Sequence, residues 1–172
     1  MKIIVKIAVG SVVKGFRLKE TVKKHLQALG HTVVDVGCHD TGQFCKFPSV
    51  GQRIAHVLNS GLAELAVNCC GSGTGAAISA GKFRGVCAVS CESEQTARLA
   101  RVVNDANCLC LGEAVVTPEQ GCRIAEAFVN ARFQDAPEVP SPVRAFWREA
   151  RDELMARGDD SADRELEFLK TL

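Results

Sequence analysis

The chain has 172 residues, is 47% hydrophobic, and sets 21 basic against 20 acidic side chains for a net charge of +1. That length and apolar content suffice for one core and fit a single soluble domain. The balanced charge lacks the basic footprint of a nucleic-acid binder, and no apolar stretch reaches the length of a membrane span.

Taken in chain order, the first apolar run predicts a strand over residues 3–9. Lys6 interrupts it, and the run before Lys6 is too short for the core of a signal peptide. Residues 15–29 predict a helix, stopped by Gly30. A strand over 32–36 and a helix over 49–60 follow. Next come a strand over 64–69, a helix over 75–83 and a strand over 86–90. A helix over 93–103 and a strand over 107–111 continue the alternation. The helix over 117–131 opens with Thr117 as N-cap and Pro118 at the first helical position. Short apolar strands alternating with helices predict an α/β fold. The expected architecture is a doubly wound, Rossmann-like, five-stranded parallel sheet with helices on both faces.

After Phe133 the composition changes. Pro137, Pro140 and Pro142 predict an extended linker. Two charged helices over 143–157 and 161–172, split by Gly158-Asp159-Asp160, then form a C-terminal arm. The expected division is a domain over 1–135 and a linker with a helical arm over 136–172. Such an arm packs on its own domain or on a partner subunit.

The most informative run is Cys70-Gly71-Ser72-Gly73-Thr74-Gly75. It follows the apolar run Leu65-Ala66-Val67 and precedes a helix. A strand that ends in glycines and feeds a helix points several amide N–H groups at one spot, which favours negative charge. A thiol at the mouth of that turn is equipped to move protons or attack carbonyls. The bland alternatives are a buried strand-end thiol and glycines that serve helix–strand packing. Cys69 points to the opposite face and reads as core. Gly71-x-Gly73-x-Gly75, with Glu92 after the next strand, also looks like a dinucleotide loop, but its spacing departs from Gly-x-Gly-x-x-Gly.

Nine cysteines, an odd number with no export signal, favour free thiols in a reducing cytoplasm. Most read as small core hydrophobes, and Cys108 and Cys110 share one strand face. Cys38, His39 and Cys45 cluster in one loop. Their spacing is not that of a zinc pair and no second pair follows, so no metal is expected. His25 and His31 read as structural, and His39 and His56 stay open. Asn104 and Asp105 read equally well as a helix cap and as site residues.

The chain resembles the type B ribose-5-phosphate isomerases and the galactose-6-phosphate isomerase subunits over residues 3–133. The anchors are Ile7-Ala8-Val9-Gly10 with Gly15-Phe16-x-Leu18-Lys19, the Cys70–Gly75 loop, and Asn104-Asp105-Ala106-Asn107. Val36-Gly37 and Ala80-Gly81-Lys82 fit as well. The resemblance implies a cofactor-free aldose–ketose isomerase that works through an enediolate. By resemblance, Cys70 is the base, and the amides of Gly71, Gly73, Thr74 and Gly75 hold the enediolate oxygen. Ser72 assists proton transfer and Asn104 contacts the substrate. It also implies a homodimer or homotetramer whose sites combine residues of two subunits.

The departures from that pattern run one way. Val12 and Val13 stand where the family has Asp-His, and Val103 where it has the ring-opening histidine. Phe47 replaces a tyrosine and Cys87 an arginine. The phosphate-gripping arginines have Arg144 as their nearest candidate, and Lys14, Lys46 and Arg101 are the other cations to consider. Valine can neither donate, accept nor carry charge. The expected substrate is therefore an open-chain or short sugar or sugar phosphate. The alternatives are a non-catalytic or partner-dependent subunit and a nucleotide-binding protein.

Overall fold

A computed structural model describes residues 4–160. Its core is a five-stranded, all-parallel sheet in the order β2-β1-β3-β5-β4. The strands are β1 (Lys6–Ser11), β2 (Thr32–Asp35), β3 (Leu65–Cys70), β4 (Ala88–Ser90) and β5 (Cys108–Gly112). Helices α1 (Phe16–Ala28), α4 (Glu94–Asn104) and α5 (Pro118–Asn130) cover one face. Helices α2 (Phe47–Asn59) and α3 (Thr74–Ala80) cover the other. This is the doubly wound α/β sandwich that the alternating pattern predicts.

Every residue of β3 and β5 is buried, as expected of central strands covered on both faces. Their side chains alternate between two cores. Val67, Cys69, Leu109 and Leu111 face α1, α4 and α5, where Leu18, Val22, Ile124 and Phe128 complete the packing. Ala66, Cys70, Cys108 and Cys110 face α2 and α3, against Val50, Ile54, Ala76 and Ala80. Adjacent Cys69 and Cys70 thus belong to different cores, because strand side chains alternate.

The element ends differ from expectation for identifiable reasons. β1 runs on to Ser11 because Ser11 still pairs with Cys69 of β3. β4 has three residues. Ahead of it, the Val86 N–H donates to the Phe83 carbonyl and the Cys87 N–H to Asn107 Oδ1. α2 starts two residues early, at Phe47, with Pro48 in its first turn. α3 ends at Ala80, with Gly81 as its C-cap.

Helix α6 (Ser141–Met155) lies near the end of the sheet where the strands begin. Its Arg151 Nη1 donates to Asp105 Oδ2 at 2.9 Å, and the guanidinium stands 5.0 Å from the Phe133 ring centroid. The Gly85 N–H, ahead of β4, donates to the Met155 carbonyl. The second arm helix expected over 161–172 lies outside the described residues. No described helix is long and apolar enough to cross a membrane.

Candidate active site

β3 delivers Cys70 as its last residue, and the chain then turns sharply into α3. Gly73 makes the turn in the left-handed conformation, at φ +84°. A Cβ there would stand 2.6 Å from Ser90 Oγ and close to the Leu111–Gly112 backbone, so only glycine fits. The turn brings the Gly73 N–H to Cys70 Sγ at 3.0 Å. Ser72 Oγ and Thr74 Oγ1 are 2.7 Å apart on the exposed side. No side chain caps α3, so amides of its first turn point out of the helix beside the sulfur.

The loop is held from both flanks. The Glu113 and Ala114 N–H groups donate to the Cys70 and Gly71 carbonyls at 2.8 and 2.9 Å. Gly112 packs on the Ser72 backbone and Gly15 on that of Cys69–Cys70, at distances that leave no room for a side chain. Glu113 Oε2 also accepts the Leu18 N–H, tying the end of β5 to the start of α1.

Several thiols around Cys70 are shifted by their surroundings. Burial drives the Cys69 thiol far up, and burial pushes Cys91 up to about 11. The hydrogen bond shared with Cys108, reinforced by burial, raises Cys110 strongly. Those buried groups are held as thiols, and Cys70 is set apart by geometry: it ends β3 at the glycine turn, where its sulfur accepts the Gly73 N–H. All nine cysteines are free.

An open groove of about 510 Å³ borders this loop. Val12, Val13 and Lys14 form one wall, and Phe44 to Pro48 form the other. Gly71 approaches the Lys14 stem and Gly75 approaches the Phe47 ring. Val12 packs in the same core as Cys70. The structure therefore brings together Cys70, Gly71, Ser72, Gly73, Thr74, Gly75, Val12, Val13 and Lys14.

Three other expected site residues lie elsewhere. Val103 and Asn104 end α4, at the opposite end of the sheet from Cys70, in a groove between α4 and β4. Asp105 caps α4 at φ 51° and binds Arg101 and Arg151, so it serves structure. Arg144 opens the second turn of α6, and its carbonyl accepts from Gln134 Nε2. Cys87 precedes β4, at the strand-start end of the sheet. His25 pairs with Glu126, and His31 Nδ1 accepts the Val5 N–H, which matches their structural reading. Cys38 Sγ donates to the Asp40 carbonyl, and no group of three metal-ligating side chains gathers among the described residues.

Sequence reasoning passed over Phe44, 93% exposed at the groove rim. It also passed over Ser90, which backs Gly73. The start of α2 was readable from Pro48, since proline favours the first helical turn.

A family model described as ribose/galactose isomerase matches residues 7–140. The chain belongs to that family. Among its relatives, the 4-deoxy-4-sulfo-D-erythrose isomerase of a Clostridium species is 39% identical over 76% of this chain and 82% of its own length. The D-erythrulose-4-phosphate isomerase of Pectobacterium atrosepticum is 31% identical over 85% of this chain and 96% of its own. Among solved structures, the Mycoplasma genitalium ribose-5-phosphate isomerase B with bound ribulose-5-phosphate superposes with a TM-score of 0.73 at 30% identity. That match covers 86% of this chain and 95% of the other. This ribose/galactose isomerase family member is an aldose–ketose isomerase.

Proposed function

We propose that the chain isomerises a four-carbon sugar carrying an anionic group at C4, with Cys70 as the proton-shuttling base. The observation that carries this reading is the apolar wall at Val12 and Val13 beside the Cys70 loop, where the family resemblance implies Asp-His. An aldotetrose whose O4 is esterified, or replaced by a C–S bond, cannot close a furanose ring. It needs no ring-opening acid. The relatives named for sulfoerythrose and erythrulose 4-phosphate act on substrates of that kind by their names.

In the proposed reaction the Cys70 thiolate removes the C2 proton of the aldose. The C2–H electron pair forms the C1–C2 double bond, and the carbonyl π pair moves onto O1. Amides of the Gly71–Gly75 loop stabilise that oxygen, and each such donor contributes on the order of 3 kcal/mol to the barrier reduction. Ser72 and Thr74 hydroxyls relay the hydroxyl proton from O2 to O1. The C1 carbon then takes the proton back from the Cys70 thiol, which leaves the ketose and regenerates the thiolate. The balance closes without a cofactor.

Asn104 lies too far along α4 to serve its own Cys70, so its participation requires a second copy. We propose a homodimer or homotetramer in the reducing cytoplasm, with residues 136–172 as an arm on the domain of residues 1–135. Proton NMR in D2O with D-erythrulose 4-phosphate, its C4 sulfonate analogue and ribose 5-phosphate tests the reaction. Cys70-dependent deuterium uptake next to the carbonyl of the tetroses, faster than with ribose 5-phosphate, is expected. Faster exchange with ribose 5-phosphate overturns the tetrose assignment.

A further inference from the structure

We propose that Lys14 and Lys46 form the clamp for the anionic C4 group, an inference that rests on the tetrose reading above. Four cations were candidates from the sequence, and the fold sorts them. Arg101 is committed at the far end of the sheet, where Nη1 donates to Asp105 Oδ1 at 2.6 Å and to the Ala106 carbonyl at 2.8 Å. Arg144 sits on α6, and α6 packs near the strand-start end. Lys14 and Lys46 line the groove that opens on the Cys70 loop, from opposite walls.

Neither lysine makes a hydrogen bond or ion pair through its ammonium group among the described residues, in contrast to Lys19 and Lys23, which share Asp35. Lys46 is moreover the N-cap residue of α2, and the first turn of α2 holds no acidic side chain and no side-chain cap. A cation there opposes the helix dipole. Two lysines with no ion pair among the described residues and an uncapped helix start thus border one groove. Its remaining lining is Val12, Val13, Phe44, Phe47 and Pro48 with the Cys45 thiol, so it is mostly apolar. Apolar walls lower the local dielectric and strengthen ionic attraction to a ligand that enters.

The geometry also bears on chain length. The Lys14 stem lies against Gly71, directly after Cys70, so the clamp and the base belong to one chain and one edge of the sheet. A clamp on α6 would have to come from another copy. Two ammonium groups act as point charges and do not impose the planar, bidentate geometry of arginine. They accept a sulfonate or a phosphate, and the two sources share the tetrahedral oxyanion chemistry.

The test compares Lys14→Met, Lys46→Met and the double variant on three ketotetroses: D-erythrulose 4-phosphate, its C4 sulfonate analogue, and free D-erythrulose, which is open-chain and uncharged. Each single change is expected to raise KM for the anionic substrates about tenfold with kcat nearly kept, as for uniform binding. Free D-erythrulose, which carries no C4 anion, is the comparison: its kcat/KM is expected to fall several-fold less than that of the anionic substrates, and Lys→Arg variants are expected to recover part of the KM. The ratio of sulfonate to phosphate KM in the parent identifies which anion is preferred. An unchanged KM for both anionic substrates in the double variant, with Cys70-dependent turnover intact, overturns the clamp and leaves the tetrose reading standing. If the parent turns over no tetrose, that reading fails. Calorimetric binding of inorganic phosphate and of methanesulfonate then judges the clamp alone. Loss of binding in the double variant supports it, and equal or absent binding in parent and variant overturns it.

Discussion

The Gly73 N–H meets Cys70 Sγ at 3.0 Å because Gly73 takes φ +84° against Ser90. One backbone conformation therefore sets both the turn and the environment of the sulfur. Gly73→Ala is expected to cost about 1–2 kcal/mol in backbone strain, plus a clash at Ser90, and to lower kcat by about a hundredfold. Gly61→Ala is the control. Gly61 has φ +73° with nothing nearby, so it loses a similar backbone term in thermal denaturation but keeps full kcat. Equal kcat losses in both variants would show that strain alone, and not the sulfur contact, governs activity.

Cys70 is expected to be indispensable in a way its neighbour is not. Cys70→Ser preserves shape in a site whose glycines leave little slack, yet its hydroxyl is a far weaker acid than a thiol. Deuterium exchange with the tetrose substrates is expected to fall below detection. Cys69→Ser, in the other core, is expected to keep exchange and to lose about 1–3 kcal/mol of stability from an imperfectly paired buried hydroxyl. The pair separates chemistry from packing at adjacent positions.

A buried ion cluster anchors the start of the loop after β2, the loop that leads to the Phe44–Pro48 wall. Lys19, fully buried, donates to Asp35 Oδ2 at 2.7 Å and to the Cys38 carbonyl at 2.6 Å, which ties the loop after β2 to α1. Burial pushes the Asp35 carboxyl up, but the hydrogen bonds from Lys19 and Lys23 outweigh it, so its pKa lies below the ordinary value. A lowered carboxylate pKa stabilises the fold at pH above the unfolded value of about 3.9, and that stabilisation fades as pH falls through the folded value. Asp35→Asn is expected to cost about 1–3 kcal/mol at neutral pH, because Lys19 and Lys23 lose a shared counter-charge and keep only Glu20. Urea unfolding between about pH 3 and 7 is expected to show a parent whose stability drops on acidification and a variant with a flatter curve. Parallel curves would mean that Asp35 does not couple to folding.

The sheet, its two-sided cover and the Cys70 turn were legible in the sequence, because alternation, strand-end glycines and N-cap signals are local. The partition of the site was not. The resemblance implies sites that combine residues of two subunits, but it does not say which of Asn104 and Cys70 comes from which copy. Helix α4 runs antiparallel to the strands and carries Asn104 to the far end of the sheet. The dual nature of Asp105 was left open in sequence because a helix cap and a site residue share the Asn-Asp signature. Arg151, 46 positions away, decides it. The groove wall from Phe44 to Phe47 depends on how the loop after β2 folds back, and no periodicity marks that.

Asp105 accordingly supports a structural prediction. Its carboxylate joins Arg101 of α4 to Arg151 of α6, at 2.6 and 2.9 Å. Asp105→Ala removes the carboxylate that two largely buried guanidinium groups share, leaving Arg101 the Ala106 carbonyl and Arg151 Asp152, and places alanine at a positive φ. The expected loss is about 3 kcal/mol. Hydrogen exchange is expected to rise first in α6, which has no buried residue of its own. Uniform acceleration across the sheet would instead mean that α6 unfolds with the core.

Val103 gives the sharpest contrast with ring-opening isomerases. It ends α4 next to Asn104, and its side chain packs against the cluster of Val102, Ala131 and Ala136, remote from the Cys70 of its own chain. A histidine acting as a general acid contributes ~100-fold or more to rate. Val103→His is nevertheless expected to leave ribose 5-phosphate turnover unimproved, because Val12 and Val13 still present an apolar wall where that longer, ring-forming substrate needs polar contacts. Tetrose turnover is expected to stay unchanged, since a substrate with no free O4 has no ring to open. A large gain with ribose 5-phosphate from this single change would show that Val103 alone sets substrate choice and that the valines of the groove wall are bystanders.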